Sequence, residues 1–300
     1  MGIGISLTMD LTSPKTIKEL LAKYDANPLK TMGQNFLIDK PALNKIIEAS
    51  DLNSNDIVLE IGPGIGTLTQ ELAKRVKKVI AVEKDQAMVQ ILKETLKDRN
   101  NVEIIQGDIL KLETIPYTLY PKPCKIVSNI PYYLTSPLIR MFLESKNPPN
   151  VMVLMVQKEV AQRICAKSPS PPYQNSKRTS GVGASLHKMS ILAVSVQFYA
   201  DPKIISHVSK ECFWPSPKVD SAIIKIIPLK EKSQINAETF FKVVKAGFSH
   251  PRKQLAGNLS KALKIEKNKI TEWLLQNNIQ PTQRAETLSL SNWKDLANSL

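Results

Sequence analysis

The tetrapeptide Asn129-Ile130-Pro131-Tyr132 combines side chains that can hold and orient an aromatic amine. The side-chain oxygen of Asn129 can accept hydrogen bonds from an amino group, and Pro131 makes the turn rigid. Tyr132 can stack on a base that has been turned out of its helix or loop. Because an amino group conjugated to a purine is a poor nucleophile, such acceptors would draw its lone pair towards an electrophilic methyl group. We therefore predict catalytic roles for Asn129, Pro131 and Tyr132; the alternative is a structural turn with a core tyrosine.

A second aromatic segment runs from Phe213 to Ser221 and contains two prolines. Prolines keep a segment stiff and extended, so this one could present Phe213 to the other face of the same base. We count Phe213 as a catalytic candidate. An ordinary core position for this ring is the alternative.

A glycine-rich turn follows the first predicted strand and contains Gly62 and Gly64. Glycines allow the backbone to approach a ligand closely, and the helix that follows the turn offers free N–H groups to an anion. The spacing is G-x-G-x-G and lacks the third glycine position of the dinucleotide fingerprint, which makes a nicotinamide dehydrogenase improbable. The turn predicts a cofactor site of another kind, although any tight strand-to-helix turn is similar.

Two acidic residues follow the next two predicted strands. Glu83 ends the second strand, where a carboxylate can accept hydrogen bonds from ribose hydroxyls. Asp108 follows the third strand and can accept a hydrogen bond from the amino group of an adenine. Together with the glycine turn, they indicate a cofactor that contains a nucleoside.

These residues require a parallel sheet to bring them together. Short β-branched runs alternate with helical stretches, which is typical of βαβ units in a doubly wound α/β sheet. The predicted parallel strands are Ile57 to Ile61, Val79 to Val82, Val102 to Ile105, Lys125 to Ser128 and Val151 to Val156. Ligands bind beyond the carboxyl ends of such strands, where all of these candidates fall.

The remaining segments complete two predicted domains. The apolar runs Ile191 to Phe198 and Ser221 to Ile227 predict late strands that close the sheet. The stretch from Lys167 to Met189 is rich in Pro, Ser, Gly and Lys and predicts an exposed loop. After Pro228 the β pattern stops, and the pattern predicts helices instead. They cover Phe240 to Phe248, Asn268 to Gln276 and Asn292 to Leu300. We predict a first domain over residues 1–228 and a small helical domain over residues 229–300.

The composition favours an anionic partner. The chain has 41 Lys and Arg against 27 Asp and Glu, a net charge of +14. Residues 228–300 hold 12 basic and 6 acidic residues, so +6 of this charge lies on about a quarter of the sequence. This excess makes the C-terminal part a candidate surface for nucleic acid.

Several other classes of site are disfavoured. Cys124, Cys165 and Cys212 are odd in number and form no C-x-x-C pair, which predicts neither a disulfide framework nor a metal site. No run of about 18 apolar residues and no secretory signal pattern is present, so we expect no membrane span. These features favour a cytoplasmic protein, which we expect to be monomeric.

At this point the motifs can be compared with a known family. The chain resembles the ribosomal RNA adenine N6-dimethyltransferases, most closely the bacterial small-subunit, KsgA type. The motifs that carry the resemblance are Gly33-Gln34-Asn35-Phe36-Leu37, Glu60 to Gly64, Val82-Glu83, Gly107-Asp108, Asn129 to Tyr132, Phe213 to Ser221, Phe248-Ser249 with Arg252-Lys253, and Arg284-Ala285-Glu286. They occur in the expected order from residue 30 to 287. Two departures are a longer 167–189 segment and a less basic 247–258 segment.

The resemblance implies a Rossmann-like, S-adenosylmethionine-dependent methyltransferase sheet with a small C-terminal helical domain. The cofactor would be contacted by Asn35, Leu37, Gly62, Gly64, Glu83, Asp108 and Asn129. Of these, Asn35 and Leu37 enter through the resemblance alone. The substrate would be two adjacent adenosines in a hairpin loop near the 3′ end of small-subunit RNA, within a pre-ribosomal particle. Arg252 and Lys253 would bind the RNA.

Two other functions remain open. A related methyltransferase modifies large-subunit RNA and confers macrolide resistance; the helical C-terminal segment with Arg284-Ala285-Glu286 argues for the small-subunit type. A ribosome-assembly or transcription factor could keep the fold without catalysis. The intact Asn129 and Tyr132 argue against that function.

Overall fold

The computed structural model describes residues 9–27, 33–111, 124–167, 188–231 and 233–300. The chain separates into two compact units, one of Met1–Ala161 and Lys203–Pro228 and the other of Gln162–Pro202 and Leu229–Leu300. The sequence analysis also placed a boundary after residue 228. It assigned residues 162–202 to the first domain, however, whereas they group with the second unit. Most of the expected 167–189 loop lies outside the described residues.

One large sheet positions the candidate site. The strands are β1 (Phe36–Leu37), β2 (Ile57–Ile61), β3 (Lys78–Glu83), β4 (Val102–Gln106), β5 (Cys124–Asn129), β6 (Val151–Gln157), β7 (Ala200–Val208), β8 (Phe213–Trp214) and β9 (Ser221–Pro228). The sheet has the order β4-β3-β2-β5-β6-β9-β7, and β1 pairs separately with β8. Strands β2 to β6 are parallel, as predicted, and β9 is antiparallel to β6.

The described residues of the two units also form α-helices. They are α1 (Pro14–Lys23), α2 (Lys40–Ala49), α3 (Thr67–Ala73), α4 (Gln86–Thr95), α5 (Thr135–Leu143), α6 (Lys158–Ile164), α7 (Ile191–Tyr199), α8 (Ala237–Gly247), α9 (Leu255–Leu263), α10 (Lys267–Gln276) and α11 (Leu290–Asn298). Asp39 caps α2 by accepting a hydrogen bond from the Ala42 N–H at 2.7 Å, as expected of an acidic residue before a helix. No helix among the described residues is long and apolar enough to cross a lipid bilayer.

The central strands are buried on both faces, which explains their continuous apolar sequences. Residues 152–156 of β6 are all fully buried, and Val58, Val79 and Val127 from three neighbouring strands belong to one core cluster. Because β2, β3, β4 and β5 are parallel, their carboxyl ends meet at the same edge of the sheet. This edge carries the candidate site.

The prediction of a strand over Ile191 to Phe198 is wrong, because this segment forms helix α7. A short run that is apolar on all sides has no periodicity to separate a buried helix from a buried strand. The missed signal is Ser190, whose hydroxyl accepts a hydrogen bond from the Ala193 N–H at 3.1 Å and caps the helix. The predicted strand over Ser221 to Ile227 is confirmed as β9.

The second unit is a helical bundle with its own core. Helices α8, α10 and α11 confirm the three predicted helices, whereas α9 was not predicted. Phe198 from α7 stacks on Phe240 from α8 with ring centroids 4.1 Å apart, and Trp293 from α11 is fully buried. Helix α7 therefore packs among these helices and supplies core to this unit.

Candidate active site

A cleft opens at the carboxyl ends of β2 to β5, with a volume of about 1000 Å³ including its solvent-open part. Ten of the predicted site residues line it: Asn35, Leu37, Gly62, Gly64, Glu83, Asp108, Asn129, Pro131, Tyr132 and Phe213. The two predicted RNA-binding residues, Arg252 and Lys253, lie elsewhere. They are exposed on the turn between α8 and α9 of the second unit.

The glycine turn needs glycines for two reasons. Gly62 and Gly64 have φ values of +67° and +60°, a region that side chains rarely tolerate. A Cβ on Gly62 would also lie 3.1 Å from Pro131 Cδ, and a Cβ on Gly64 would lie 3.3 Å from the Phe36 ring. The turn thus keeps its backbone N–H groups and the cleft floor open to a ligand.

Glu83 is held in place by three backbone N–H groups. It accepts hydrogen bonds from Gly64 at 3.1 Å, Lys84 at 2.7 Å and Asp85 at 2.9 Å. Burial raises the pKa of this carboxyl, and the three backbone hydrogen bonds oppose that effect. Since a carboxylate offers about four acceptor positions, it can still accept a hydroxyl hydrogen bond from a ribose.

Asp108 faces the cleft from the loop after β4. Its Oδ2 lies 3.0 Å from Lys84 Nζ, and its Oδ1 accepts a hydrogen bond from the Leu110 N–H at 3.1 Å. Burial raises the pKa of Asp108, but the hydrogen bond and charge of Lys84 outweigh it, so the pKa is lowered overall. Asp108 is therefore an ionised acceptor beside Glu83.

The Asn129 amide is oriented by its neighbour Asn35. Asn129 Nδ2 donates to the Asn35 carbonyl oxygen at 3.3 Å, and Asn35 Nδ2 donates to the Gly33 carbonyl oxygen at 3.0 Å. No donor among the described residues occupies the remaining Asn129 Oδ1 acceptor. This arrangement gives Asn35 a physical role that its sequence position alone did not indicate.

Tyr132 is half-buried beside Asn129, and its hydroxyl shares a hydrogen bond of 2.7 Å with Ser221 Oγ. Burial raises the pKa of this phenol, so it remains neutral and its ring is fixed at one end. Phe213 is 3% exposed, lines the cleft and lies opposite Leu37 in the β1–β8 pair. Its ring is thus both a core side chain and part of the cleft wall.

The residues of the cleft that were not predicted as site residues include Phe36, Glu60, Lys84 and Tyr133. The Tyr133 side chain is 53% exposed and follows directly on Tyr132. Glu60 is buried at the end of β2, where an acidic residue in an apolar strand was an available signal. Lys84 could be recognised only from its contact with Asp108.

The cleft fits a cofactor that contains a nucleoside. Acceptors from Glu83 and Asp108 suit ribose hydroxyls and a base amino group, while the glycine turn leaves space for a group attached to the nucleoside. The described residues contain no cluster of three or more His, Cys, Asp or Glu that could hold a metal ion.

Comparison with known proteins gives a consistent result. The family model described as "Ribosomal RNA adenine dimethylase" matches residues 26–300. The chain is 39% identical to Ribosomal RNA small subunit methyltransferase A of Alkaliphilus oremlandii, over 97% of this chain and 98% of that protein. It is 42% identical to the protein of the same name from Dehalococcoides mccartyi, strain CBDB1, over 93% of this chain and 90% of that protein.

Two solved structures are also similar. The 23S rRNA methyltransferase ErmE has a TM-score of 0.68 and 25% identity, covering 89% of this chain and 99% of that one. A dimethyladenosine transferase from Plasmodium falciparum has a TM-score of 0.66 and 28% identity, covering 86% of this chain and 94% of that one.

Proposed function

Because the chain belongs to the ribosomal RNA adenine dimethylase family, we propose that it uses S-adenosylmethionine to dimethylate adenosine N6 in small-subunit ribosomal RNA. The observation that carries this proposal is one cleft that unites two acids suited to a nucleoside with an Asn129 amide whose oxygen has no donor among the described residues. The names of the similar small-subunit enzymes support the choice of RNA.

We assign the cofactor site to the glycine turn and the neighbouring acids. Glu83 accepts from the ribose hydroxyls, and Asp108 accepts from the adenine amino group of the cofactor. Gly62 and Gly64 allow close approach of the backbone, while Asn35 and Leu37 line the same cleft. S-adenosylmethionine, when bound, supplies an electrophilic methyl group on a positively charged sulfur.

The target adenosine is held by the tetrapeptide. Asn129 Oδ1 accepts a hydrogen bond from the N6 amino group, which favours the tetrahedral nitrogen that attacks the methyl group. Pro131 fixes the turn, and Tyr132 and Phe213 stack against the base that has left its RNA stack. No strong general base is required, because the nitrogen loses its proton after methyl transfer.

The finer details of the substrate follow from the resemblance. They comprise two adjacent adenosines in a hairpin loop near the 3′ end of the RNA, each methylated twice, and a role in small-subunit biogenesis. Arg252 and Lys253 would bind RNA phosphates in a pre-ribosomal particle. We expect a monomer that acts in the cytoplasm, where this RNA is assembled.

The decisive experiment uses tritium-labelled S-adenosylmethionine with ribosomal subunits from a strain that lacks the modification. Nucleoside analysis should find dimethyladenosine in small-subunit RNA and none in large-subunit RNA. Label in large-subunit RNA alone would favour an activity like that named for ErmE. Cofactor binding without label in either RNA would favour a different RNA or a non-catalytic assembly factor.

A further inference from the structure

Glu60 is a buried acid of the cleft for which the roles above provide no use. Its side chain is 1% exposed at the end of β2. Among the described residues, its Oε2 has no hydrogen-bond partner. Buried polar atoms are nearly always paired, because leaving one unpaired costs free energy. An unpaired buried oxygen on a side chain that lines a ligand cleft therefore points to a missing partner.

Within the part of the chain that the structure describes, the groups that act on Glu60 are an acid and a hydroxyl. Strand β3 brings the carboxylate of Glu83, and α3 brings the hydroxyl of Thr69. Lys84, which lines the same cleft, pairs with Asp108 at 3.0 Å. Burial raises the pKa of Glu60 to about 8, with Thr69 lowering it and Glu83 raising it by smaller amounts. A pKa raised in this way favours the neutral acid at pH 7 while the cleft is free.

The strand order indicates which part of the cofactor Glu60 meets. Along the sheet edge, Asp108 follows β4, Glu83 ends β3, Glu60 lies at the end of β2, and Asn129 ends β5. Glu60 thus lies between the acids assigned to the nucleoside and the residue assigned to the target amine. The methyl donor's sulfonium must lie in that interval if it is to face Asn129, and the ammonium group is attached to the same tail.

We propose that Glu60 exchanges its proton for the positive charge of the methyl donor: it is neutral in the free protein and releases one proton to solvent when the cationic tail of S-adenosylmethionine enters the cleft. This inference rests on the proposed function and adds a residue to its cofactor site. The carboxylate that forms would pair with the sulfonium or ammonium group in a site of low dielectric, where such pairing is strong. A carboxylic acid at this place avoids a buried unpaired charge while the cleft is free.

The test is calorimetry of cofactor binding at pH 7 in buffers of different ionisation enthalpy, which counts released protons. The wild-type protein should release close to one proton more per S-adenosylmethionine than E60Q, whose amide cannot ionise. The amino group of the ligand titrates in the same range, so the difference between the two proteins is the readout. The affinity of the wild-type protein for S-adenosylmethionine, divided by that of E60Q, should also rise by up to about tenfold per pH unit between pH 6 and pH 7.5.

A second ligand makes the test independent of the variant. 5′-Methylthioadenosine keeps the nucleoside but carries no charge, so it should bind wild-type protein without releasing the Glu60 proton. S-adenosylhomocysteine keeps the ammonium group and lacks the sulfonium. If it releases as many protons as S-adenosylmethionine does, the ammonium group is the partner of Glu60. If it releases fewer, the sulfonium is the partner. Both results support the proposal.

Two results would contradict us in different ways. Cofactor binding with equal proton release in wild-type and E60Q proteins, or with both charged and neutral ligands, would overturn the role of Glu60 alone. Failure of the wild-type protein to bind S-adenosylmethionine would overturn the proposed function itself.

Discussion

At the scale of single residues, the two ends of the Asn129 amide differ. Its Nδ2 donates to the Asn35 carbonyl oxygen, which orients the group. Its Oδ1 is the atom that we propose for the substrate amino group. This division explains why an amide is better suited than a carboxylate, which has no donor.

Replacing Asn129 with alanine should lower the rate of methylation by about 10²–10³-fold, the usual effect of removing one group that stabilises a transition state. Cofactor affinity should change only moderately, since Glu83 and Asp108 remain. Single-turnover methylation of ribosomal subunits and calorimetric titration of the cofactor would measure the two effects. Unreduced turnover would exclude the assigned role.

Glu60 should also make the stability of the free protein depend on pH. Its folded-state pKa, raised by burial to about 8 from the usual 4.5, means that the folded protein holds this proton more tightly than the unfolded chain does. Stability is then lost as pH rises from about 4.5 to 8, by up to about 5 kcal/mol. Glu60→Gln should remove this loss, so its free energy of unfolding relative to wild type should increase across that range.

Urea unfolding at pH 5.5, 7 and 8.5 without cofactor would measure this dependence. The amide of the variant can also change the free energy of unfolding by an amount that does not depend on pH. This amount does not affect the result, because the measured quantity is the slope of that free energy against pH. The exposed Glu48→Gln is the matched control and should leave the slope unchanged. Parallel curves for wild-type and Glu60→Gln proteins would show that the Glu60 proton is not linked to folding.

At the scale of helices and strands, two glycines in neighbouring helices of the second unit differ in the space around them. A Cβ on Gly247, the last residue of α8, would lie 2.4 Å from Trp293 Cη2. A Cβ on Gly257, within α9, would have no heavy atom within 4 Å. The same substitution therefore tests packing at one site and backbone entropy at the other.

We expect Gly247→Ala to destabilise the protein by about 1–3 kcal/mol, since the buried indole must move in a packed core. Gly257→Ala should stabilise it by about 0.5–1 kcal/mol, because alanine restricts the unfolded chain more than glycine does. Chemical unfolding of both variants would measure the difference. Equal effects at the two positions would contradict the packing described for α8 and α11.

The success of sequence analysis varied with the kind of element. The five parallel strands were predictable because each is a short, largely apolar run, and four of them, β2 to β5, lead directly into a glycine, an acid or Asn129. Helix α7 was not predictable from the sequence, because its mostly apolar residues form no separate polar face. Helix α9 was missed since its turn residues interrupt the helical pattern. Tyr133 was overlooked because its exposure in the cleft cannot be read from the sequence. Glu60 was overlooked although an acid in an apolar strand was an available signal.

At the scale of the whole molecule, positive charge is concentrated in the second unit's part of the sequence. Arg252 and Lys253 are exposed there on one turn, and RNA phosphates are the partners that we propose for them. Such contacts release counterions, so they contribute affinity that falls with salt concentration.

Replacing both Arg252 and Lys253 with glutamine should weaken RNA binding and reduce the slope of log affinity against log salt by about 1.4–1.8. Filter binding between 50 and 200 mM salt would provide the slopes. A control that replaces the exposed Lys97 and Lys146 of the first unit should change the slope less. An unchanged slope in the first variant would exclude phosphate contacts at this turn.

The interleaving of the two units has a consequence for synthesis. Lys203–Pro228 returns to the first unit after Gln162–Pro202 has been contributed to the second. A growing chain that ends near residue 202 lacks Phe213 and β9, so it carries Asn129 and Glu83 without a complete cleft. Such a chain also lacks Phe240, on which Phe198 of α7 stacks. Neither unit can finish folding on a ribosome before translation passes residue 228. After that point the two units can fold during the same period.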